Sequence, residues 1–291
     1  MGEVVLNKKY KDRLFKLVFG TKGDLLSLYN AINGTTYINE DDITINTIEE
    51  CVYMGMRNDV SFLVCDVMNL YEHQSTDNPN LPLRGFFYLS MLYKGLFGEH
   101  KDLYSSRLIM LPTPQFIIFY NGDSEEPDDR YMNLSDAYIE KISGTPALEC
   151  TARLLNINYG HNKEIMDKCK RLHDYSLLIK RVKDNIRSGM DKEAAVIAAV
   201  DSCIEDGILA DILIKHKAEV TAMLLEEYNE TLHINSEKSI SYEEGREEGR
   251  LDVLISLVND GLLQPEIAAE RSNKTIEEFR GLMTSRQGQK D

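Results

Sequence analysis

Tryptophan is missing from this chain, prolines number seven, and the five cysteines are odd in number and scattered at positions 51, 65, 150, 169 and 203. No two of those cysteines have Cys-x-x-Cys spacing. A disulfide framework and a zinc ribbon are therefore not expected, and buried free thiols are. The six histidines include no His-x-x-x-His pair. A Gly-x-Ser-x-Gly elbow, a Walker phosphate loop and a Gly-x-Gly-x-x-Gly fingerprint are also missing, so several large enzyme classes lose their usual signature. The longest unbroken apolar run, Ala194–Val200, has seven residues. A membrane-spanning helix needs about 20, so no membrane partner is expected. The N-terminal Met-Gly-Glu-Val-Val-Leu-Asn-Lys-Lys offers no apolar stretch of secretory length, and the expected location is the cytoplasm.

What is present is a globular composition, 43% hydrophobic and 28% charged, in 291 residues. That is room for one large domain or two ordinary ones. Lys and Arg number 33 against 48 Asp and Glu, a net charge of −15, which argues against non-specific coating of DNA. Two basic islands interrupt the acidic background. Residues 8–22 hold Lys8, Lys9, Lys11, Arg13, Lys16 and Lys22 against Asp12 alone. Residues 163–187 hold Lys163, Lys168, Lys170, Arg171, Lys180, Arg181, Lys183 and Arg187 against four acidic residues. Charge clusters are most often solvated helix faces, and these gain meaning only beside chemistry on a polyanion.

The apolar spacing predicts a helix over 10–32, broken near Gly20 and Gly23, followed by strands at 44–48, 60–65 and 69–74. The last two are close enough to form an antiparallel hairpin around Asp66. A helix from about Leu83 to Phe97 and strands at 116–120 and 150–158 follow. From His161 the pattern is helical: 162–187, 191–206, 208–214, 215–230, the twice-repeated Glu-Glu-Gly-Arg of 243–250, an apolar helical stretch at 251–257, and two short helices within 263–283. The expected fold class is α/β, a small mixed sheet core flanked by helices, rather than a doubly wound dinucleotide fold. The expected division is 1–160 for the core, 161–235 for a helical region and 236–291 for a charged helical tail.

Asp59 stands at the mouth of the strand Val60–Val64, and Glu72-His73-Gln74 ends its hairpin partner. On a strand, residues two apart face the same side, so Glu72 and Gln74 project together and His73 points the other way. Across a hairpin Asp59 and Glu72 approach one another, and two such carboxylates repel unless a divalent cation lies between them. Magnesium suits that donor set. It lowers the pKa of a bound water and neutralises charge building on a phosphodiester, while the Gln74 amide orients the water. Spacing alone favours the blander reading, a solvent-facing strand edge.

Five stretches in the first third of the chain resemble the Rpn family. They are Lys11-Asp12-Arg13-Leu14-Phe15-Lys16, Leu26–Gly34, Asn58-Asp59-Val60-Ser61-Phe62, Asn69-Leu70-Tyr71-Glu72-His73-Gln74-Ser75-Thr76 and Pro82-Leu83-Arg84-Gly85. Later stretches, Leu111–Phe116, Phe119–Gly122, Asn156–Asn162 and the 243–250 repeat, are similar to it as well. These are recombination-promoting nucleases, also catalogued as transposases, in the PD-(D/E)XK nuclease superfamily. The resemblance implies a PD-(D/E)XK restriction-endonuclease-like core and a divalent-metal-dependent DNA endonuclease linked to recombination or mobile elements. It implies Asp59 and Glu72 as metal ligands, Gln74 where the superfamily more often has Lys, and Asp12 at a supporting acidic position. Asn58 stands where the motif has Pro. The His73 main-chain carbonyl, rather than its ring, is the better metal ligand. DNA contacts are expected from Lys11, Lys16, Arg84, Lys180, Arg181 and Lys183. The rival readings are a non-catalytic mobile-element-derived protein that binds DNA or protein, and an RNA-directed nuclease on the same site.

No catalytic constellation follows residue 161. The 263–283 segment reads as helix–turn–helix, but Glu277 and Glu278 stand where a recognition helix offers Arg, Asn or Gln. A packing or protein-contact module is the expectation. Leu251, Leu254, Ile255 and Val258 form an apolar stripe that needs a covering surface, either a second chain in a homodimer or helices 191–230 of the same chain.

Overall fold

The computed structural model describes residues 11–45, 60–97, 106–140, 142–272 and 274–287. Within these, side chains are not described at 11–12, 227, 229–245, 247–248 and 284–287. The chain divides into two compact units, Met1–Asn229 and Glu230–Asp291.

The first unit is mixed α/β. Helices α1 (Lys11–Val18) and α2 (Lys22–Asn33) lead into strands β1 (Ile43–Ile45), β2 (Val60–Val64) and β3 (Val67–Gln74). Helix α3 (Leu81–Phe97) then precedes β4 (Thr113–Tyr120), β5 (Asp129–Asn133) and β6 (Thr151–Asn156). The helices α4 (Lys163–Lys168), α5 (Lys170–Arg187), α6 (Lys192–Glu205) and α7 (Ala210–Asn259) follow, α7 continuing into the second unit. The expected break in the first helix is real. Thr21 caps α2 by accepting from the Asp24 amide at 3.1 Å, and Gly34, with φ of 66°, closes it. The helix expected over 162–187 is two, because Cys169 leaves helical geometry between α4 and α5. The helices expected at 208–214 and 215–230 run together through a kink at His216.

The six strands lie in the order β1-β2-β3-β4-β6-β5. β1, β2 and β3 pair antiparallel, β3, β4 and β6 pair parallel, and β5 closes the far edge antiparallel to β6. The hairpin predicted around Asp66 forms, with Val64 opposite Val67 and Val60 opposite Tyr71. β5 was not expected. Its sequence, Asp-Arg-Tyr-Met-Asn, lacks apolar alternation because it is a half-exposed edge strand. Ion pairing contributes to its attachment: Arg153 on β6 grips Asp129 through both Nε and Nη2.

Period-two alternation sends each strand's side chains to two cores. One face carries Phe62, Tyr71, Ile117, Phe119 and Leu155 against α1, α2 and α4 through the start of α7. The other carries Met68, Leu70, Phe116, Ile118 and Leu154 against α3. The central strands β3 and β4 are covered on both sides, so Phe116–Tyr120 of β4 is a continuous apolar run, while in β3 the polar Asn69, Glu72 and His73 are buried among apolar residues. Helices α4 to α6 and the start of α7 thus share a core with the first two helices. Among the described residues, no helix is long and apolar enough to cross a membrane.

In the second unit, α8 (Pro265–Arg271) and α9 (Ile276–Gln287) follow the end of α7. Leu251, Leu254 and Ile255 are buried there against Ala268, Ala269 and Phe279, with Val258 packed alongside. The apolar stripe is covered within its own unit by α8 and α9, a cover not weighed above. Three of the four described cysteines, Cys150, Cys169 and Cys203, are buried, whereas Cys65 in the hairpin turn is exposed.

Candidate functional site

Glu72 is the focus. It lies in the fully covered part of β3, in register with Ile118 of β4, and its side chain is 2% exposed. A carboxylate in that position needs a positive or hydrogen-bonding partner, since burial penalises an isolated charge heavily. Arg84 of α3 supplies one, with Nη2 3.2 Å from Glu72 Oε2. The same nitrogen lies 3.3 Å from the Tyr88 hydroxyl, and the guanidinium sits 5.8 Å over the Tyr88 ring.

The local sequence explains how Arg84 reaches Glu72. After β3, Asn78 accepts from the Asn80 amide at 3.0 Å and the Arg84 amide bonds to the Asn80 carbonyl at 3.1 Å, starting α3 directly beyond the strand. Gly85 then allows α3 to lie against the sheet. A Cβ at that position would fall 2.3 Å from the Phe116 ring. The small residue beside Arg84 is what brings the guanidinium down to the strand.

His73 faces the opposite layer, as strand parity requires. Its ring stacks on Phe15 of α1 with centroids 5.8 Å apart, and Nε2 lies 3.0 Å from the Tyr175 hydroxyl of α5. The ring is therefore built into the core, and α1 packs on the His73 face of β3 rather than on the Glu72 face. Gln74 ends β3, half-buried, and its carbonyl accepts from the Asn121 amide at 3.1 Å. Asp59 lies outside the described residues, as do the side chains of Lys11 and Asp12, whose backbone forms the first turn of α1. Lys16 is half-buried on that helix.

The second basic island is engaged inside the chain. Arg181 donates to Ser202 Oγ at 2.9 Å and pairs with Asp206 at 2.6 Å. Lys180 pairs with Asp184 and lies 5.6 Å over the Tyr159 ring. Lys183, 14% exposed, donates to the carbonyls of Asn121 and Gly122 at 2.6 and 3.1 Å and to Asn158 Oδ1 at 3.1 Å, and pairs with Asp123. It ties the loop after β4 to α5.

That loop borders a cleft of about 620 Å³ beyond the carboxyl ends of β4 and β6, lined among others by Asp123, Asn158, His161, Lys180 and Arg187. At its rim His161 Nδ1 lies 2.6 Å from Asp128 Oδ1. This hydrogen bond holds the Asp128 carboxyl below its ordinary pKa. Neither the cleft nor the pair was anticipated. The polar run Asn156–Asn162 after a strand was its one trace in the sequence.

A hard divalent cation is suited by the Glu72 carboxylate and by a neighbouring main-chain carbonyl such as that of His73. Among the described residues no group of three His, Cys, Asp or Glu side chains is gathered to hold a metal. The described part of the site thus offers one carboxylate to a cation. Comparison with family models, curated proteins and solved structures returns no match for the chain.

Proposed function

We propose that the chain is a divalent-metal-dependent DNA endonuclease whose core is of the PD-(D/E)XK kind, with Mg2+ held by Glu72 and Asp59 and by the His73 carbonyl. The observation that carries this reading is the buried Glu72. A charged residue in the middle of a central strand is expensive, and an apolar residue of similar size serves stability better. Its presence there, beside a helix-borne arginine, favours chemistry over packing. The order of antiparallel hairpin, helix α3 and parallel β4 around it agrees with the resemblance. When bound, the metal supplies Lewis acidity toward the scissile phosphate and a more acidic water. Gln74, on the Glu72 side of the strand, orients that water. Arg181 and Lys183 drop out of the DNA surface in this reading, because they are only 25% and 14% exposed and held by chain oxygens, whereas Lys180, though paired with Asp184, is 42% exposed. Lys11, Lys16 and Lys180 stay in it.

A non-catalytic DNA- or protein-binding role is the second reading. It is favoured by the Arg84 pair, which already balances the Glu72 charge. Supercoiled plasmid incubated with the full chain separates the two. The nuclease reading expects nicked and linear DNA with Mg2+, none with EDTA, and none from Glu72→Gln or Asp59→Asn in either condition. Intact plasmid with the wild-type chain and Mg2+ overturns it, and a parallel RNA substrate identifies an RNA-directed enzyme.

A further inference from the structure

We infer that Arg84 is a resident counter-ion that competes with a divalent cation for Glu72, so that the Arg84–Glu72 pair sets how much cation the site requires. The inference rests on the nuclease reading for the identity of the cation, and it concerns the regulation of that site rather than its chemistry.

Three observations carry it. Glu72 is 2% exposed and its Oε2 is held by Arg84 Nη2 at 3.2 Å, so the carboxylate's positive partner is a side chain of this chain. A second cation on the same carboxylate would lie near the guanidinium, and like charges in a half-buried setting oppose each other strongly. Arg84 must therefore withdraw, at least partly, when Glu72 takes another cation. The structure also provides a place to withdraw to. Nη2 already lies 3.3 Å from the Tyr88 hydroxyl, one helical turn along α3, and the guanidinium is 5.8 Å over that ring. Finally, Arg84 is 32% exposed, so its outer side meets solvent and a small rotation of the side chain encounters no closed wall. Tyr88 itself is buried. Arg84 thus has two seats, one bridging Glu72 and Tyr88 and one on Tyr88 away from Glu72. This gives Arg84 a role different from the phosphate contact expected from its position after the strand.

The test is thermal unfolding of the full chain across MgCl2 and, separately, CaCl2 titrations at constant ionic strength, with EDTA as the zero point. Arg84→Gln keeps much of the side chain's length and removes its charge. It should melt lower than wild type in EDTA and respond to cation at a concentration at least about 5-fold lower, the usual lower end of a coupling between two ligands. Arg84→Lys, which keeps the charge, should respond near the wild-type concentration. Tyr88→Phe keeps both charges and removes the hydroxyl seat, so its response should move to higher cation. This variant serves if Arg84→Gln does not fold. An Arg84→Gln response equal to or weaker than wild type, or an unmoved Tyr88→Phe midpoint, overturns the inference. If wild type nicks plasmid with Mg2+ while Arg84→Gln responds at the same concentration, the Arg84 role alone falls. If wild type neither nicks nor shifts its melting with any cation, the metal reading falls and takes the inference with it.

Discussion

The imidazole of His73 and the hydroxyl of Tyr175, 102 residues apart in sequence, meet at 3.0 Å inside the core and tie the central strand to α5. Asn121 Nδ2 donates to the same hydroxyl at 3.4 Å, so the Tyr175 oxygen joins the loop after β4 to the central strand as well. Tyr175→Phe keeps the ring that packs edge-on to Phe15 and His73 and takes away the hydroxyl. Leaving a buried nitrogen without that partner should cost about 1–3 kcal/mol with an unchanged far-UV spectrum. Urea unfolding measures it, and a midpoint equal to wild type would show that the hydrogen bond contributes nothing.

Gly85→Ala tests the close approach of α3 to the sheet. In an exposed helix the change gains about 1 kcal/mol. Here the added Cβ would lie 2.3–2.4 Å from the Phe116 ring, so overpacking wins and a net loss of about 1–3 kcal/mol is expected. Pairing it with Phe116→Leu should recover part of that loss. If the single variant proves as stable as wild type, α3 is not fixed by this contact and the placement of Arg84 has another cause.

These two contacts mark where sequence reading stops. The parity of Glu72 and His73 was legible because a strand has period two and β3 is flanked by a clear turn at Asp66. The helix break at Thr21 was legible because a capping residue and glycines sit together. The Arg84–Glu72 pair was not, because it depends on how closely α3 packs, which Gly85 and Phe116 decide across a gap in sequence. Lys183 reads as a free cation in its basic island, yet loop carbonyls from 60 residues upstream claim it. β5 escaped notice since an edge strand needs no apolar face. Asp59, half of the expected acidic pair, falls outside the described residues, so the structure speaks to Glu72 alone.

Thiol reactivity reports the same packing from another side. Burial, with help from the Glu149 charge, pushes the Cys150 thiol up to about 11. Burial also raises Cys169 and Cys203. The thiolate is the reactive form, so all three should resist a disulfide reagent at pH 8 until the chain unfolds, whereas exposed Cys65 should react at once. A Cys51→Ser background keeps the count clean. Rapid modification of two or more thiols in the native state would contradict the burial of these residues.

The Asp128–His161 pair predicts a direction in acid. Hydrogen bonding to His161, then to the Asn162 amide, lowers the Asp128 carboxyl from its ordinary 3.8 in the folded chain. Its contribution to stability is present above that ordinary value and is lost as the pH falls through the lower folded one. Asp128 is exposed, so the contribution is small and the titration itself is the better observable. The side-chain carboxyl 13C shift of Asp128 should titrate below the ordinary range in wild type and return toward it in His161→Ala. Identical midpoints in the two proteins would rule out the pair as the cause.

The second unit makes the last prediction. The stripe Leu251, Leu254 and Ile255 is buried under Ala268, Ala269 and Phe279, so α8 and α9 act as its cover. Phe279 is fully buried, and Phe279→Ala removes the largest side chain of that small core. Such truncations cost about 3–5 kcal/mol, comparable with all that a core of this size supplies. The variant should therefore lose protection from proteolysis after residue 250 while Tyr175 and its neighbours keep their amide protection. A chain ending at Asp260 goes further and bares the stripe outright. Exposed apolar helix faces seek partners, so this shortened chain should self-associate more strongly than the full one in sedimentation at matched concentration. An unchanged association state would mean that the stripe finds cover elsewhere, and a full chain whose association vanishes in the shortened form would return the stripe's covering helices to the role of a dimer contact.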